Sequence, residues 1–263
     1  MDFMLDIELK KIPVPIRYTD KLMLIGSCFT EHIGHALGEL KFCMLQNPNG
    51  ILFGPDSVCR SLDWYMENRE LRENDLFQLN EVWHSWMHHS RFSGTDIREA
   101  LHGMNTARQK AHDFLKKADW LIITLGSSYT YRLTAGASLA SAEINNGVAN
   151  CHRAPASWFN KEMLEIGEIN SLLDTTISRL RKFNPDLRII FTISPVRHIR
   201  DGVVVNNRSK ARLIEAVHRL CTDTDSIYYF PAYELVIDVL RDYRFYAEDM
   251  VHPNYAATNY VWE

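Results

Sequence analysis

The stretch "KLMLIGSCFTEHIGHAL", from Lys21 to Leu37, decides how the fold begins. An apolar run ends at Gly26, Ser27 follows it, and apolar residues then recur every three or four positions. This change of period predicts a buried strand that leads directly into an amphipathic helix. A hydroxyl residue at such a junction either caps the helix or is a nucleophile held at the amino end of the helix.

Four more apolar runs follow along the chain, separated by stretches with helical spacing. The runs do not alternate between apolar and polar residues, which is typical of parallel strands covered on both faces. Strands are predicted at 41–46, 120–126, 187–194 and 226–231, and helices at 57–71, 98–118, 161–183, 209–223 and 232–243. The alternation predicts an α/β fold of three layers, with a doubly wound sheet of about five parallel strands. We expect a single domain over residues 1–263.

The composition excludes several classes of protein. The chain has 263 residues and a formal net charge of −4, without the basic block of a nucleic-acid-binding protein. No apolar run is long enough to span a membrane, and the first residues lack a secretory signal, so we expect a cytoplasmic protein. Five scattered cysteines argue against a disulfide framework or a zinc module, and we expect no cofactor. The final "YVWE" begins a helical pattern, which predicts that the natural chain continues beyond Glu263.

The loops that follow the predicted strands carry most of the polar groups suited to chemistry. In a doubly wound fold, ligands bind beyond the carboxyl ends of the strands, where these loops converge. Ser27 follows the first strand, and the other loops are "NPNGILFGP" (47–55), "GSSYTYR" (126–132), "SPVRH" (194–198) and "EDMVHPN" (248–254). The sequence therefore predicts a site at this edge of the sheet.

Asp249 and His252 form a second motif near the end of the chain. A histidine can take a proton from a hydroxyl near neutral pH, and a carboxylate beside it fixes its tautomer and stabilises the imidazolium. An aspartate three residues before the histidine can do this within one turn of chain. Taken alone, the pair is more often an ordinary surface turn, but with Ser27 it completes a candidate catalytic triad.

Several blocks of the chain resemble one known family. "LIGSCF", "ISPVRH" and "DMVHPNY" resemble the GSCFA family, a bacterial family named for its Gly-Ser-Cys-Phe-Ala motif, although Thr30 stands where the name has alanine. That family resembles the SGNH (GDSL-like) hydrolase superfamily. The resemblance implies an SGNH-type fold and a metal-independent serine hydrolase of ester bonds. It also implies an acyl-enzyme on Ser27, with Asp249 as the acid and His252 as the base.

The same resemblance implies an oxyanion hole. SGNH enzymes commonly use the amide of the nucleophile, a glycine amide after the second strand and an asparagine side chain after the third. Ser27 and Gly50 match the first two donors. The expected asparagine is missing from "GSS" (126–128), so either Ser128 or Asn49 is expected to replace it. Loss of one such donor lowers turnover by roughly 100- to 1,000-fold.

Two further segments carry candidate substrate contacts. "WHSWMHHSRFSG" (83–94) lies in an insertion at about 72–96, and we interpret it as a lid in which His84 and Arg91 contact substrate. A structural hairpin is the close alternative. The histidine spacing matches no metal-site pattern, so we expect no metal. Arg197 and His198 follow the fourth strand, where they are expected either to contact substrate or to brace the loop.

The sequence leaves several functions open. The leading one is hydrolysis of an O-acylated small molecule or glycan, and the same acyl-enzyme would make an O-acyltransferase if a sugar hydroxyl replaced water. A non-catalytic binding protein that has lost the oxyanion asparagine is the alternative from another class. Cys28 is the rival nucleophile, because a thiol at a helix amino end can ionise readily. Since adjacent residues point in different directions, we expect Cys28 to pack against the sheet instead.

Overall fold

The computed structural model describes residues 5–137, 147–222 and 226–263. The predicted end of a helix at 223 and parts of the predicted domain therefore lie outside the described residues. The strands are β1 (Lys21–Gly26), β2 (Cys43–Gln46), β3 (Phe77–Leu79), β4 (Val82–His84), β5 (Trp120–Leu125), β6 (Tyr129–Leu133), β7 (Gly147–Val148), β8 (Phe159–Met163), β9 (Arg188–Ile193) and β10 (Ile227–Phe230). The helices are α1 (Cys28–Glu39), α2 (Pro55–Glu67), α3 (Ile97–Leu115), α4 (Ile166–Phe183), α5 (Val203–Thr222), α6 (Ala232–Glu234, continued as a π-helix over Leu235–Leu240) and α7 (Tyr255–Trp262). Among the described residues, no helix is long and apolar enough to cross a membrane.

The centre of the fold is a five-stranded parallel sheet in the order β2-β1-β5-β9-β10. Counted along the chain, these strands are the second, first, third, fourth and fifth, which is the flavodoxin-like order. The five predicted strands and the doubly wound α/β fold are therefore confirmed. The strand order reverses between β1 and β5, and Ser27 follows β1 at this point.

Helices cover both faces of the sheet, so the predicted three layers are also confirmed. Successive side chains of β1 point to opposite faces of the sheet, so alternate residues pack in different hydrophobic cores. Met23 and Ile25 pack with α2, α3, α4 and α5, whereas Leu22 and Leu24 pack with α1, with residues 12–16 and with Trp262 at the end of α7. Trp120 is fully buried on β5 and closes this second core.

Two small antiparallel sheets add to the predicted fold, and a hairpin in the insertion was expected only as the alternative to a lid. Strands β3 and β4 form a hairpin, and β6 pairs with β7 and β8. The predicted helix at 161–183 begins only at Ile166, because Lys161 and Glu162 belong to β8, and Glu165 with Glu168 forms a capping box at the helix start. Pairing with β6 has overridden the local helical pattern.

Helix α5 is longer than predicted at its amino end, because it begins at Val203 and not at residue 209. The first turns contain three valines and two asparagines, which have modest helix propensity. Gly202, with φ of 97°, ends the preceding 3-10 turn and allows the helix to start there. The additional turns place polar side chains at the carboxyl edge of the sheet.

We expect Gly26→Ala to destabilise the protein strongly. Gly26 has φ of 149°, and a Cβ atom there would lie 2.3 Å from the Thr124 carbonyl oxygen. An alanine at this φ has a strained backbone, and its Cβ would also clash with the carbonyl. The two effects together should lower the free energy of unfolding, measured by urea denaturation, by at least about 3 kcal/mol. Gly103→Ala is the matched control, since Gly103 is exposed on α3 with nothing within 4 Å of an added Cβ. That change should stabilise the protein by roughly 0.5–1 kcal/mol, and an equal effect of both changes would contradict the analysis.

Candidate active site

Ser27 lies between β1 and α1 and is 1% exposed. It is the N-cap of α1, and its Oγ accepts a hydrogen bond from the Phe29 amide at 3.2 Å. Its hydroxyl donates to Oγ of Ser194, the residue directly after β9, at 2.9 Å. Its own amide donates to the Thr124 carbonyl at 3.2 Å. Every polar group of Ser27 that a reaction would use therefore has a protein partner in this structure.

Asp249 and His252 form a closely bonded pair. His252 Nδ1 and Asp249 Oδ2 are 2.6 Å apart, and Asp249 Oδ1 accepts the amides of Val251 and His252. The amide and ring of His252, followed by the amide of Val251, lower the pKa of Asp249 to about 2. The carboxylate is therefore ionised at neutral pH and orients the ring, which leaves the Nε2 side of His252 for another partner.

The structure brings this pair to the same edge of the sheet as Ser27. The Arg197 amide donates to the Val251 carbonyl at 3.0 Å, which joins the loop after β9 to the loop that carries His252. The same loop begins with Ser194, the partner of Ser27. Within the described residues, Ser27 and His252 make no direct hydrogen bond, because the Ser27 hydroxyl donates to Ser194.

His198 lies in the loop after β9, near enough to His252 to feel its charge. Its amide donates to Asn206 Oδ1, and its ring stacks on Phe53 with centroids 4.8 Å apart. Burial, followed by the charges of Lys210 and His252, lowers its pKa to about 4. Its Nε2 is buried without a hydrogen-bond partner. His198 is thus a neutral ring beside His252 with one open position.

Besides Ser27, the other candidate oxyanion donors also have partners inside the protein. The Gly50 amide donates to the Asn47 carbonyl at 2.8 Å and so closes a turn. The Asn49 side chain points to Ser61 and to the Met87 carbonyl, at 3.4 and 3.5 Å. The Ser128 hydroxyl donates to Ser209 at 3.0 Å.

Sequence analysis missed Asn47, whose side chain bonds the backbone one residue before Ser27. Its Oδ1 accepts the Gly26 amide at 2.9 Å, and its Nδ2 is buried without a partner. The φ of 40° at this residue is a left-handed conformation that asparagine tolerates well. The motif "NPNG" contains two asparagines, and only the geometry of the turn decides that the side chain of Asn47 points to Gly26.

Sequence analysis also missed a polar row on α5. Asn206 accepts the His198 amide at 2.8 Å, and Ser209 accepts the Ser128 amide at 2.8 Å. Lys210 donates to the carbonyls of Gly126 and Ser194. The sequence signal for this row is polar residues at i, i+3 and i+4 on the helix face that continues with the buried Leu213 and Val217.

The insertion at 72–96 contains the β3–β4 hairpin, and the stretch from His84 to His88 that follows the turn is buried. Trp86 stacks on Phe77 with centroids 3.7 Å apart, and His84 bonds Ser93 through Nδ1 at 2.7 Å. Arg91 is the member that reaches the edge of the sheet, where it donates to the Asn47 carbonyl and lies 3.7 Å from Glu31. Across the described chain, no three histidine, cysteine or acidic side chains meet in a way that could hold a metal ion.

Arg197 points to a separate cavity of about 190 Å³ beside the His252 loop. Its guanidinium lies over the rings of Tyr243 and Tyr246, at 5.2 and 5.5 Å from their centroids. Asn206 and Asn207 also line the cavity. The Tyr246 hydroxyl is buried without a hydrogen-bond partner. Arg241 and Asp242 line it as well, so the cavity combines two arginines, one acidic residue, aromatic walls and amide groups.

Comparison with known proteins identifies one family and two distant structural neighbours. The model of the GSCFA family matches residues 21–263. No curated protein matches the chain. A carbohydrate esterase family 3 from Talaromyces cellulolyticus is similar at 10% identity and a TM-score of 0.43, with 93% of each chain covered. The acetyl xylan esterase Est2A from the rumen bacterium Butyrivibrio proteoclasticus is similar at 13% identity and a TM-score of 0.37, with 83% of this chain and 56% of that chain covered.

We expect Ser209→Ala to destabilise the protein, because it leaves the buried Ser128 amide without an acceptor. A buried unpaired amide typically costs about 1–3 kcal/mol, which urea unfolding would detect. The control is Ser171→Ala on α4, where an exposed hydroxyl bonds the Gly167 carbonyl one turn earlier. The control should change the free energy of unfolding by less than about 0.5 kcal/mol. Equal losses in the two variants would show that Ser209 has no special part in holding the 126–128 loop.

Proposed function

The chain belongs to the GSCFA family, and from this premise we propose that it is a serine hydrolase of ester bonds. Ser27 is the nucleophile, His252 is the general base, and Asp249 orients His252. The observation that carries the proposal is the chain of contacts at one sheet edge, from Ser27 through Ser194 and its loop to the His252 segment.

The proposed reaction has two steps. Ser27 Oγ attacks the ester carbonyl carbon while His252 takes the hydroxyl proton, and the alcohol then leaves with that proton. Water next attacks the acyl-enzyme with His252 as base, which releases the carboxylic acid and restores Ser27. A sugar hydroxyl in place of water would give acyl transfer by the same route, and product analysis distinguishes the two reactions.

Turnover requires two rearrangements of the resting structure. The Ser27 hydroxyl has to turn from Ser194 toward His252, which is a rotation about one side-chain bond. Because Ser27 is 1% exposed, the side chains that cover it also have to move aside for the substrate. Catalytic hydrogen bonds are often formed only when substrate is bound, so this geometry is compatible with the proposed triad.

Asn47 is the donor that best replaces the missing oxyanion asparagine. Its carboxamide already lies against the Gly26 peptide, and its NH₂ group has no partner to give up. Asn49 and Ser128 would each have to break an existing hydrogen bond first. The Phe29 amide, which bonds Ser27 Oγ in this structure, lies at the amino end of α1. The partial positive charge of this helix end would also stabilise an oxyanion at Ser27.

The cavity at Arg197 is a candidate subsite for the part of the substrate remote from the ester. Two arginines against one aspartate give the lining a net positive charge, which together with the aromatic walls suits an anionic or hydroxyl-rich group, such as an acidic sugar. Asn206 lines this cavity and also accepts the His198 amide. A ligand bound in the cavity would therefore affect the position of the loop beside His252.

A non-catalytic binding protein is the second candidate, and one observation favours it. The Ser27 amide, the Gly50 amide and the Ser128 hydroxyl all bond protein acceptors, and Ser27 caps α1 in the manner of a structural serine. A relic of this kind would bind a ligand at the edge of the sheet without forming an acyl-enzyme.

We expect Ser27→Ala to abolish both hydrolysis of nitrophenyl acetate and labelling by a fluorophosphonate probe. No neighbouring group would then form the acyl-enzyme. His252→Ala should be nearly as severe, because the two residues act as one unit, and Asp249→Ala should be somewhat milder. Mass spectrometry of the labelled peptide identifies the modified residue.

Cys28→Ala is the matched control for Ser27→Ala. The Cys28 thiol is the neighbouring nucleophile, and burial raises its pKa, so it should contribute little. Most activity and all labelling should survive this change. Activity that is kept in Ser27→Ala and lost in Cys28→Ala would refute the serine mechanism, and absence of any labelling would favour the binding protein.

We expect Asn47→Asp to lower the kcat of ester hydrolysis by about 100-fold or more with a small change in KM. The aspartate keeps an oxygen for the Gly26 amide but removes the NH₂ donor and adds negative charge near the oxyanion. Asn49→Ala is the comparison, and it should affect stability more than kcat. The reverse ranking of kcat would move the donor role to Asn49.

A further inference from the structure

Lys210 on α5 is a buried lysine without a counter-ion. It is 1% exposed, and Nζ donates to the carbonyls of Gly126 at 2.5 Å and Ser194 at 2.7 Å. No carboxylate pairs with it anywhere in the described ranges. An ammonium group in such surroundings is unfavourable compared with an apolar side chain of the same shape. A purely structural role would not require a charge here.

The position of Lys210 links it to Ser27. Gly126 follows β5 and Ser194 follows β9, so the ammonium joins the carboxyl ends of two neighbouring strands. Ser194 is also the residue whose Oγ accepts the Ser27 hydroxyl. Lys210 therefore fixes the backbone of the residue that sets the direction of Ser27.

Three titratable groups face Lys210 from the elements packed around it. They are Cys28 at the start of α1, His198 in the loop after β9, and Tyr233 on α6, whose ring centroid lies 5.8 Å from Nζ. None is a carboxylate. Burial lowers the pKa of Lys210 to about 7, against a small upward effect of Cys28, so the charge is present at lower pH and lost above neutrality.

The geometry points to Lys210 as a positioning residue for the hydrolysis proposed above, on which this inference rests. Its ammonium fixes the backbone of Ser194 beside Ser27, and its positive charge favours the state in which Ser27 has turned to His252 and negative charge develops on its oxygen. Lys210 makes no contact with the substrate in this role and acts through Ser194 and through its field.

This role predicts a particular dependence on pH. The rate of Ser27 modification by a fluorophosphonate should fall on the alkaline side as Lys210 loses its proton, with a midpoint near pH 7. In Lys210→Met the charge is absent at every pH, so this descending limb should disappear and the rate below pH 7 should drop about tenfold or more. Lys161→Met is the matched control, because Lys161 lies near the same edge but pairs with Asp201 at the surface.

The experiment measures the second-order rate of fluorophosphonate labelling of the full chain between pH 5.5 and 9. This pH range brackets a group that titrates at about 7. The kcat and KM for nitrophenyl acetate are measured at the same pH values. Lys210→Gln is the second variant if the methionine variant does not fold, since it keeps N–H donors for the two carbonyls and lacks the charge. Loss of the limb in Lys210→Gln and its retention in Lys161→Met support the role. The same profile in wild type and Lys210→Gln would overturn it, as would a wild-type rate without a descending limb.

The failure of this role and the failure of the proposed function give different results. If Ser27 is labelled and the Lys210 variants behave as wild type, only the role of Lys210 is refuted. If wild-type Ser27 is not labelled at any pH, the hydrolase itself is refuted and the inference falls with it.

Discussion

The close approach of Gly26 to the Thr124 carbonyl is the constraint on which the rest of the site depends. A side chain at position 26 would overlap that carbonyl, so the sharp turn from β1 into α1 is possible only with glycine. The turn brings the Ser27 amide onto the Thr124 carbonyl and starts α1 one residue later. Ser27 is thereby held at the point where the strand order reverses, with the amino end of a helix directly beneath its oxygen.

Around this point many polar groups bond to one another, but several buried atoms of the described residues have no partner. Two of them are the Asn47 NH₂ group and His198 Nε2. Each such group typically costs about 1–3 kcal/mol, which a ligand able to bond it would recover. Both atoms are buried, so a ligand could bond them only after the side chains that cover them had moved.

The sequence was sufficient for the central sheet and for part of the site. Continuous apolar runs identified the five parallel strands because burial on both faces leaves no alternation, and Asp249 with His252 could be paired because three residues span one turn. The polar row on α5 could not be found in this way. Lys210 and Ser194 are 16 residues apart, and nothing local shows that a helix face and a strand end will meet. The short strand β8 was missed for a related reason, since only its pairing with β6 makes residues 159–163 extended.

The cap formed by Ser27 and its proposed role as a nucleophile are not competing explanations of the same contacts. A cap needs only the oxygen as an acceptor, and the Phe29 amide supplies that hydrogen bond. The same amide would bond an oxygen that had lost its proton more strongly, because charged acceptors form stronger hydrogen bonds. A cap does not need an acceptor for the hydroxyl hydrogen. Here the Ser27 hydroxyl donates to Ser194 Oγ, and the Ser194 carbonyl accepts from the buried Lys210 at 2.7 Å. The part of the structure that goes beyond capping therefore fixes the Ser27 hydroxyl in its resting direction, and the proposed reaction begins when this hydroxyl leaves Ser194 for His252.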